Sequence, residues 1–154
     1  MLNVLMNEME TRQTVKNYTS DVSNKIVCKD EVERLIADYG HKDSSVLSID
    51  GLSYLRTAKS IAKVRIISFP LYDESRVDAI LREYKAYSQF QPKNYTCFAF
   101  CIEYSIHHPL QMDEEQRLRA FFQSICHMGS KLIVFSGIDN TLKNKVLVTL
   151  IASK

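Results

Sequence analysis

The sequence has no tryptophan and only four glycines, three prolines and four cysteines among its 154 residues. No two glycines are adjacent. Glycine-rich loops are the usual way of bringing backbone N–H groups close to phosphates. A nucleotide-phosphate loop is therefore not expected in this chain, and no cofactor is predicted.

Long apolar runs are also missing, because Lys, Arg, Glu or Thr interrupts each run well before the ~20 residues that a membrane-spanning helix needs. The formal net charge is only +2, with basic and acidic residues interspersed. This balance predicts no basic patch that would bind nucleic acid or a membrane surface. We expect a cytoplasmic protein without direct membrane association, and its length fits one domain with a core.

The four cysteines are Cys28, Cys97, Cys101 and Cys126. Without a secretory context they are expected to be reduced, and most free cysteines are small core side chains. A zinc site would also draw on the histidines, but the paired ligand spacing of structural zinc sites is missing. No metal site is predicted. No Gly-x-Ser-x-Gly elbow occurs either, and no catalytic residue is predicted.

The first part of the chain divides into an arm, a helix and a loop. Residues 1–25 are mostly polar and predict a mobile or loosely docked arm. From Asp30 the apolar residues Val32, Leu35, Ile36 and Tyr39 follow helical spacing, and Gly40 is a stop signal. A polar loop then leads to one or two helical turns at 54–58. We therefore define a helix-plus-loop part at 26–58 and a sheet part at 59–154.

The sheet part alternates strand and helix patterns. Strands are predicted at 61–69, 95–104, 131–135 and 145–152, with helices after the first two. Asp73 is the expected cap of the first of these helices, Asp113 with Gln116 the expected capping box of the second, and Gly129 its expected C′ residue. The prediction is an α+β fold: a β-α-β-α-β-β four-stranded mixed sheet with helices on one face, preceded by a long helix that covers part of the other face. The last strand, apolar on both faces, is expected to be central.

The last strands carry a pattern that resembles the end of the FtsZ C-terminal domain. In that family a strand is followed by Asp, by Leu three residues later and by V-x-V-T-[VIL]-I-A-T-G. The residues in register here are Asp139, Leu142, Val146, Val148, Thr149, Ile151 and Ala152. Phe135 stands where the family usually has Gly, and Ser153-Lys154 replaces the terminal T-G.

A second match lies after the first helix. FtsZ proteins carry a "synergy loop", N-x-D-F-A-D-V, and this chain has Ser48-Ile-Asp-Gly-Leu-Ser-Tyr54 in the corresponding place. Asp50 aligns with the first loop carboxylate, whereas Ser48 replaces the Asn and Ser53 the second Asp. Together the matches cover about 27–154, that is, the family's central helix, loop and C-terminal domain without its GTPase domain.

The resemblance implies a protein that acts by contact and is not an enzyme. In FtsZ the loop of one subunit inserts into the nucleotide face of the next, and its carboxylates position the attacking water; with Ser53 in the second place that activation is weak or lost. The implied partner is FtsZ or another tubulin-like protein, whose filaments the chain would bind or cap in cell division. The expected contact residues are Ser48, Asp50, Gly51, Leu52, Ser53 and Tyr54.

Two other interpretations stay open at the level of sequence. One is a truncated FtsZ paralogue with no independent activity. The other is a small-molecule enzyme, because the strand and helix order also resembles the chorismate-mutase-like fold group, and a fold does not fix a function. Such an enzyme would need cationic side chains in a cleft, and the available arginines are Arg56, Arg65, Arg76, Arg82, Arg117 and Arg119. The oligomeric state is not determined by the sequence.

Overall fold

The computed structural model of the chain describes residues 29–40, 51–87 and 90–154. The chain order is α1 (Lys29–Gly40), β1 (Ile61–Ile67), α2 (Arg76–Lys85), β2 (Cys97–Tyr104), α3 (Met112–Ile125), β3 (Lys131–Ile138) and β4 (Val146–Ser153). Short 3-10 turns occupy Ser53–Thr57, Pro92–Asn94 and Asn140–Leu142. This order confirms the predicted α+β arrangement. The proposed arm at 1–25 lies outside the described residues and stays a prediction.

The four strands form one mixed sheet in the order β1-β4-β2-β3. β4 pairs antiparallel with both β1 and β2, while β3 runs parallel to β2. Every residue of β4 is buried, and β2 is buried along all but its two terminal residues. Both strands therefore occupy the centre, as their apolar sequences predict for strands that are covered on each side.

The two faces of the sheet carry separate apolar clusters. On one face α2 and α3 bury Val77, Ile80, Leu118 and Phe122 against alternate residues of all four strands. On the other face α1 contributes Leu35, Ile36 and Tyr39, which pack with residues such as Ile151 and Phe135. The apolar sides that the sequence predicts for the three helices thus face the sheet. As predicted, α1 covers part of the second face.

The helix ends differ from the sequence-based expectations. The hydroxyl of Ser75, not the carboxylate of Asp73, caps α2 by accepting from the Asp78 N–H at 3.1 Å. Asp73 lies in the preceding turn with a positive φ of 59°, a conformation that Asp tolerates better than most residues. The prediction that Asp73 caps α2 was therefore wrong: Asp73 belongs to the turn, and Ser75 provides the cap.

At α3 the predicted capping box was displaced by two residues. Gln111 and Glu114 form the box, and the Glu114 carboxylate accepts the Gln111 N–H at 3.0 Å. At the other end α3 stops at Ile125 with Cys126 as its C-cap. Gly129 is not the C′ residue; it lies in the turn before β3 with a φ of +86°, where glycine is favoured because it lacks a Cβ.

Candidate functional site

The segment that resembles the synergy loop enters the described structure at Gly51. Ser48 and Asp50 lie outside the described residues, and their contact role stays a prediction. Gly51 begins a turn that continues into the 3-10 turn Ser53–Thr57 and then into β1. The segment lies at the end of the sheet where β1 starts and β4 finishes, and there the Lys59 N–H donates to the Lys154 carbonyl at 2.8 Å.

Two leucines anchor this segment in the core. Leu52 is fully buried and Leu55 is 1% exposed, and both belong to the cluster beneath α1. The Leu55 N–H donates to the Leu52 carbonyl at 3.1 Å, which closes the turn between them. The Leu52 side chain is thus part of the fold, while Gly51, Ser53 and Tyr54 are half-buried and Arg56 is exposed.

An ion pair links the turn to α1. Arg56 donates to both carboxylate oxygens of Glu33, Nε to Oε1 at 2.7 Å and Nη2 to Oε2 at 3.1 Å. Both side chains are about half exposed, so the pair stabilises the fold by at most about 1 kcal/mol. Its bidentate geometry nevertheless fixes the direction in which Arg56 points.

The Tyr54 hydroxyl is buried beside the Cys97 and Ser153 side chains, its two possible partners, but it forms no hydrogen bond of normal geometry with any described residue. Burial, followed by the neighbouring Cys97 thiol, raises the pKa of Tyr54 well above its usual value. Tyr39, on α1, differs because its hydroxyl donates to the Thr149 hydroxyl at 3.4 Å. The two tyrosines therefore form a matched pair, one with a satisfied hydroxyl and one without.

We expect Tyr54→Phe to raise the free energy of unfolding by up to about 1 kcal/mol, because the change removes a buried hydroxyl that lost its water partners on folding. Tyr39→Phe, the matched control, is expected to lower it by about 0.5–1.5 kcal/mol. Urea unfolding followed by circular dichroism measures both. A loss of stability in Tyr54→Phe as large as in Tyr39→Phe would show that Tyr54 has a partner.

At the opposite end of the strands an open pocket of about 500 Å³ lies between the starts of α2 and α3. Its main cation, Arg76, donates to both carboxylate oxygens of Glu114, at 2.6 and 2.7 Å. The same guanidinium donates to the carbonyl oxygens of His108, Pro109 and Asn144 at 2.9–3.3 Å. Arg76 is therefore occupied in joining α2 to the connections that follow β2 and β3, and offers no donor to an anionic ligand.

Most of the other arginines are also engaged with carboxylates. Arg82 pairs with Glu74 and Glu83, Arg117 with Asp78, and Arg119 with Glu115. The pKa values of Glu74 and Asp78 are lowered because arginine donates to each carboxylate. These pairs are intramolecular links on and between helices, so they do not form a cationic cleft.

The cysteines of the described residues form no disulfide. Cys101 is buried, whereas Cys97 and Cys126 are half-buried, and all three are free; Cys28 lies outside the described residues. Burial raises the pKa of the Cys126 thiol, which makes it a poorer nucleophile. Within 29–40, 51–87 and 90–154, no three His, Cys, Asp or Glu side chains are grouped to hold a metal ion. No described helix is long and apolar enough to cross a bilayer.

The arrangement defines a class of domain: an α+β unit with a mixed sheet in the order β1-β4-β2-β3 and helices on both faces. Comparison with solved structures shows that this is the fold of the FtsZ C-terminal domain. An FtsZ dimer from M. jannaschii, described as empty, superposes with a TM-score of 0.53 at 16% identity. The match covers 73% of this chain but 32% of FtsZ, so the chain spans about a third of that protein.

A mutant form of M. jannaschii FtsZ gives a TM-score of 0.49 at 17% identity, covering 68% of this chain and 31% of the mutant chain. No protein-family model matches the sequence, and no curated protein matches it. The similarity with a TM-score of 0.53, at 16% identity, establishes the fold alone. The expectation of an FtsZ C-terminal-type fold is thereby confirmed.

Proposed function

We propose that this protein binds or caps FtsZ-type filaments in cell division, acting by protein–protein contact and not as an enzyme. The observation that supports this best is the combination of an FtsZ C-terminal-type fold with the segment that resembles the synergy loop, whose described part lies at one end of the sheet. These 154 residues contain no glycine-rich phosphate loop, so a unit that docks through this end would present no nucleotide-binding face within them, and we propose that it ends the filament.

The geometry of the segment supports a contact role. Leu52 and Leu55 hold the turn in the core, while the Arg56–Glu33 pair ties it to α1. A segment fixed in this way loses little conformational entropy when it binds, which favours affinity. In this turn Ser53 is half-buried and Thr57 is exposed, so their hydroxyl groups are available to a partner.

The chemistry of the segment supports binding without catalysis. Phosphoryl transfer depends on positioning the nucleophile and stabilising charge. In the FtsZ pattern two carboxylates serve the attacking water, and here Ser53 occupies the second place. A serine hydroxyl carries no charge, so we propose that docking would leave GTP hydrolysis in the neighbouring subunit weak or absent.

The test is to mix the purified protein with FtsZ from the same organism and GTP, and to follow assembly by light scattering and co-sedimentation. We expect binding and a lower polymer mass at substoichiometric amounts of the protein. Asp50→Arg and Ser53→Arg are expected to weaken binding at least about 10-fold, since each places an unmatched charge in a contact (about 1.4 kcal/mol or more). Leu52 is unsuitable for this series because its replacement would disturb the core.

Asp113→Arg is the matched control. It makes the same charge reversal on an exposed residue at the start of α3, at the opposite end of the strands. Binding that falls equally in Asp113→Arg and Asp50→Arg would point to a net-charge effect and contradict docking through the end of the sheet where β1 starts. Unchanged assembly together with no co-sedimentation of the wild-type protein would refute the proposed function.

The small-molecule enzyme is less well supported by the described residues. Of the six arginines that such a cleft would recruit, Arg56, Arg76, Arg82, Arg117 and Arg119 are already paired with carboxylates. Cations committed to intramolecular pairs are poorly suited to hold a dicarboxylate substrate. A truncated FtsZ paralogue would share the fold but fail to bind FtsZ, so the co-sedimentation experiment separates it from the proposal.

A further inference from the structure

The outer edge of β3 has a defined set of backbone groups that point away from the sheet. The Lys131 N–H donates to the Thr96 carbonyl and the Asp139 N–H to the Tyr104 carbonyl, both at 2.9 Å. In a parallel pair, alternate residues turn both backbone groups toward the same neighbour. The odd-numbered residues of β3 therefore face β2, and the outward-facing set is Leu132, Val134, Ser136 and Ile138.

These outward groups are open in the described structure. No described residue outside β3 donates to or accepts from their backbone atoms, and β3 pairs with β2 alone. Between Lys131 and Asp139 the edge has no charged residue and no proline. Natural edge strands are usually protected by such residues. The opposite edge strand, β1, carries Lys63 and Arg65 and so follows that rule.

We propose that a second copy of this chain pairs with this edge, β3 against β3 in antiparallel orientation, to make one continuous eight-stranded sheet across a two-fold axis. The outward-facing residues select the register. With Phe135 opposite Phe135 of the second copy, Leu132 lies opposite Ile138 and Val134 opposite Ser136. All four outward residues of each copy are then in hydrogen-bonded pairs, and each pair exchanges two backbone bonds.

Charge complementarity supports the same register. Lys131 falls opposite Asp139 of the second copy, and the two-fold axis repeats this pairing at the other end of the interface. Lys131 and Asp139 are each separated from Phe135 by an even number of residues, so the side chains of all three lie on the same face of the sheet. Opposite charges directly across an antiparallel pair stabilise it.

Small and large side chains also alternate across the axis. Ile133 lies opposite Gly137 of the second copy, so a branched side chain meets a residue without a Cβ. Sliding the strands by two residues in either direction leaves one outward residue of each copy unpaired and places Lys131 opposite Gly137 or Thr141, neither of which is charged. The register centred on Phe135 is therefore the one that satisfies both the backbone groups and the charges.

The test is sedimentation equilibrium of the wild-type protein. A single pair of edge strands lies at the small, weak end of specific interfaces, so the measurement covers about 5–200 μM. We expect a reversible monomer–dimer equilibrium. Val134→Pro is expected to weaken the dimer at least about 10-fold, because proline removes an outward N–H while leaving the ladder to β2 intact. A wild-type monomer at all these concentrations would refute the proposal.

A second variant tests the register and does not depend on proline being tolerated. Lys131→Glu places like charges opposite each other at both ends of the interface, and we expect dimerisation to weaken about 5-fold. Lys59→Glu is the matched control, since Lys59 is exposed beside β1 at the opposite edge, and it is expected to leave the dimer unchanged. Equal weakening in both variants, or a full-strength dimer in Lys131→Glu, would overturn the assigned register. FtsZ binding is measured separately, so this proposal and the proposed function fail independently.

Discussion

Replacing Phe122 by alanine is expected to lower the free energy of unfolding by about 3–5 kcal/mol. Phe122 lies on α3, is fully buried and stacks on Phe100 of β2 with ring centroids 4.0 Å apart and planes inclined by 15°. The truncation removes this ring contact and leaves a cavity between helix and sheet, where close-packed neighbours relax only partly. Urea unfolding monitored by far-ultraviolet circular dichroism measures the loss.

Met128→Ala is the control for this change. Met128 is fully exposed in the turn before β3, and substitutions at such positions are expected to stay within about 0.5 kcal/mol of the wild type. If Phe122→Ala lost less than about 1 kcal/mol, α3 would not be packed on the sheet as described. The position of α3 on the sheet would then have to be revised.

Replacing Arg76 by methionine is expected to cost about 2–3 kcal/mol at neutral pH. The Arg76 and Glu114 side chains are only 14% and 16% exposed. Removing one partner leaves the other charge partly buried and unpaired, and a fully buried pair would lose about 3–5 kcal/mol. The carbonyl oxygens that accept from Arg76 also lose their donor. Thermal and urea unfolding measure the effect.

The stabilisation that the Arg76–Glu114 pair provides is expected to decrease at low pH. Hydrogen bonds from Arg76 hold the pKa of Glu114 below its usual value. A lowered folded-state pKa means that the stabilisation is fully present above about pH 4.5 and is lost as the pH falls through the folded-state pKa. The difference between wild type and Arg76→Met should therefore shrink toward pH 3.

Arg119→Met supplies the contrast for Arg76→Met. Arg119 pairs with Glu115 one turn earlier on α3, and both side chains are nearly half exposed, so we expect a loss of at most about 0.5 kcal/mol. Equal losses in Arg76→Met and Arg119→Met would mean that Arg76 does not join α2 to the neighbouring connections. A loss in Arg76→Met that stays constant down to pH 3 would show that Glu114 is not its partner.

The sequence predicted the elements well because their apolar patterns are long. The apolar residues of α1 recur at helical spacing, and those of β2 and β4 lie on both faces of each strand. Both patterns indicate a sheet that is covered on its two faces. Helix ends were less predictable, because several polar residues near each end can provide a cap. Ser75 and Asp73 are both suitable residues for capping α2, and only the path of the chain decides between them.

The candidate site was predictable only in part. The segment that contains Gly51, Ser53 and Tyr54 was identified by its resemblance, and the structure places it at the start of β1. Sequence alone did not separate Leu52 from the half-buried residues beside it, because a short turn has no long periodic pattern that identifies its inward side. The open edge of β3 was also hidden, since strand order depends on contacts between residues far apart in the chain.

The central position of β4 has a consequence for folding. Among the described strands β1 pairs with β4 alone, so it stays unpaired until residues 80–92 positions later in the chain have been synthesised and have reached it. Closing such a long loop is slow compared with forming α2 or α3. We therefore expect refolding to be limited by the arrival of β4, and a ribosome-bound chain that stops before Val146 to remain sensitive to proteases at β1.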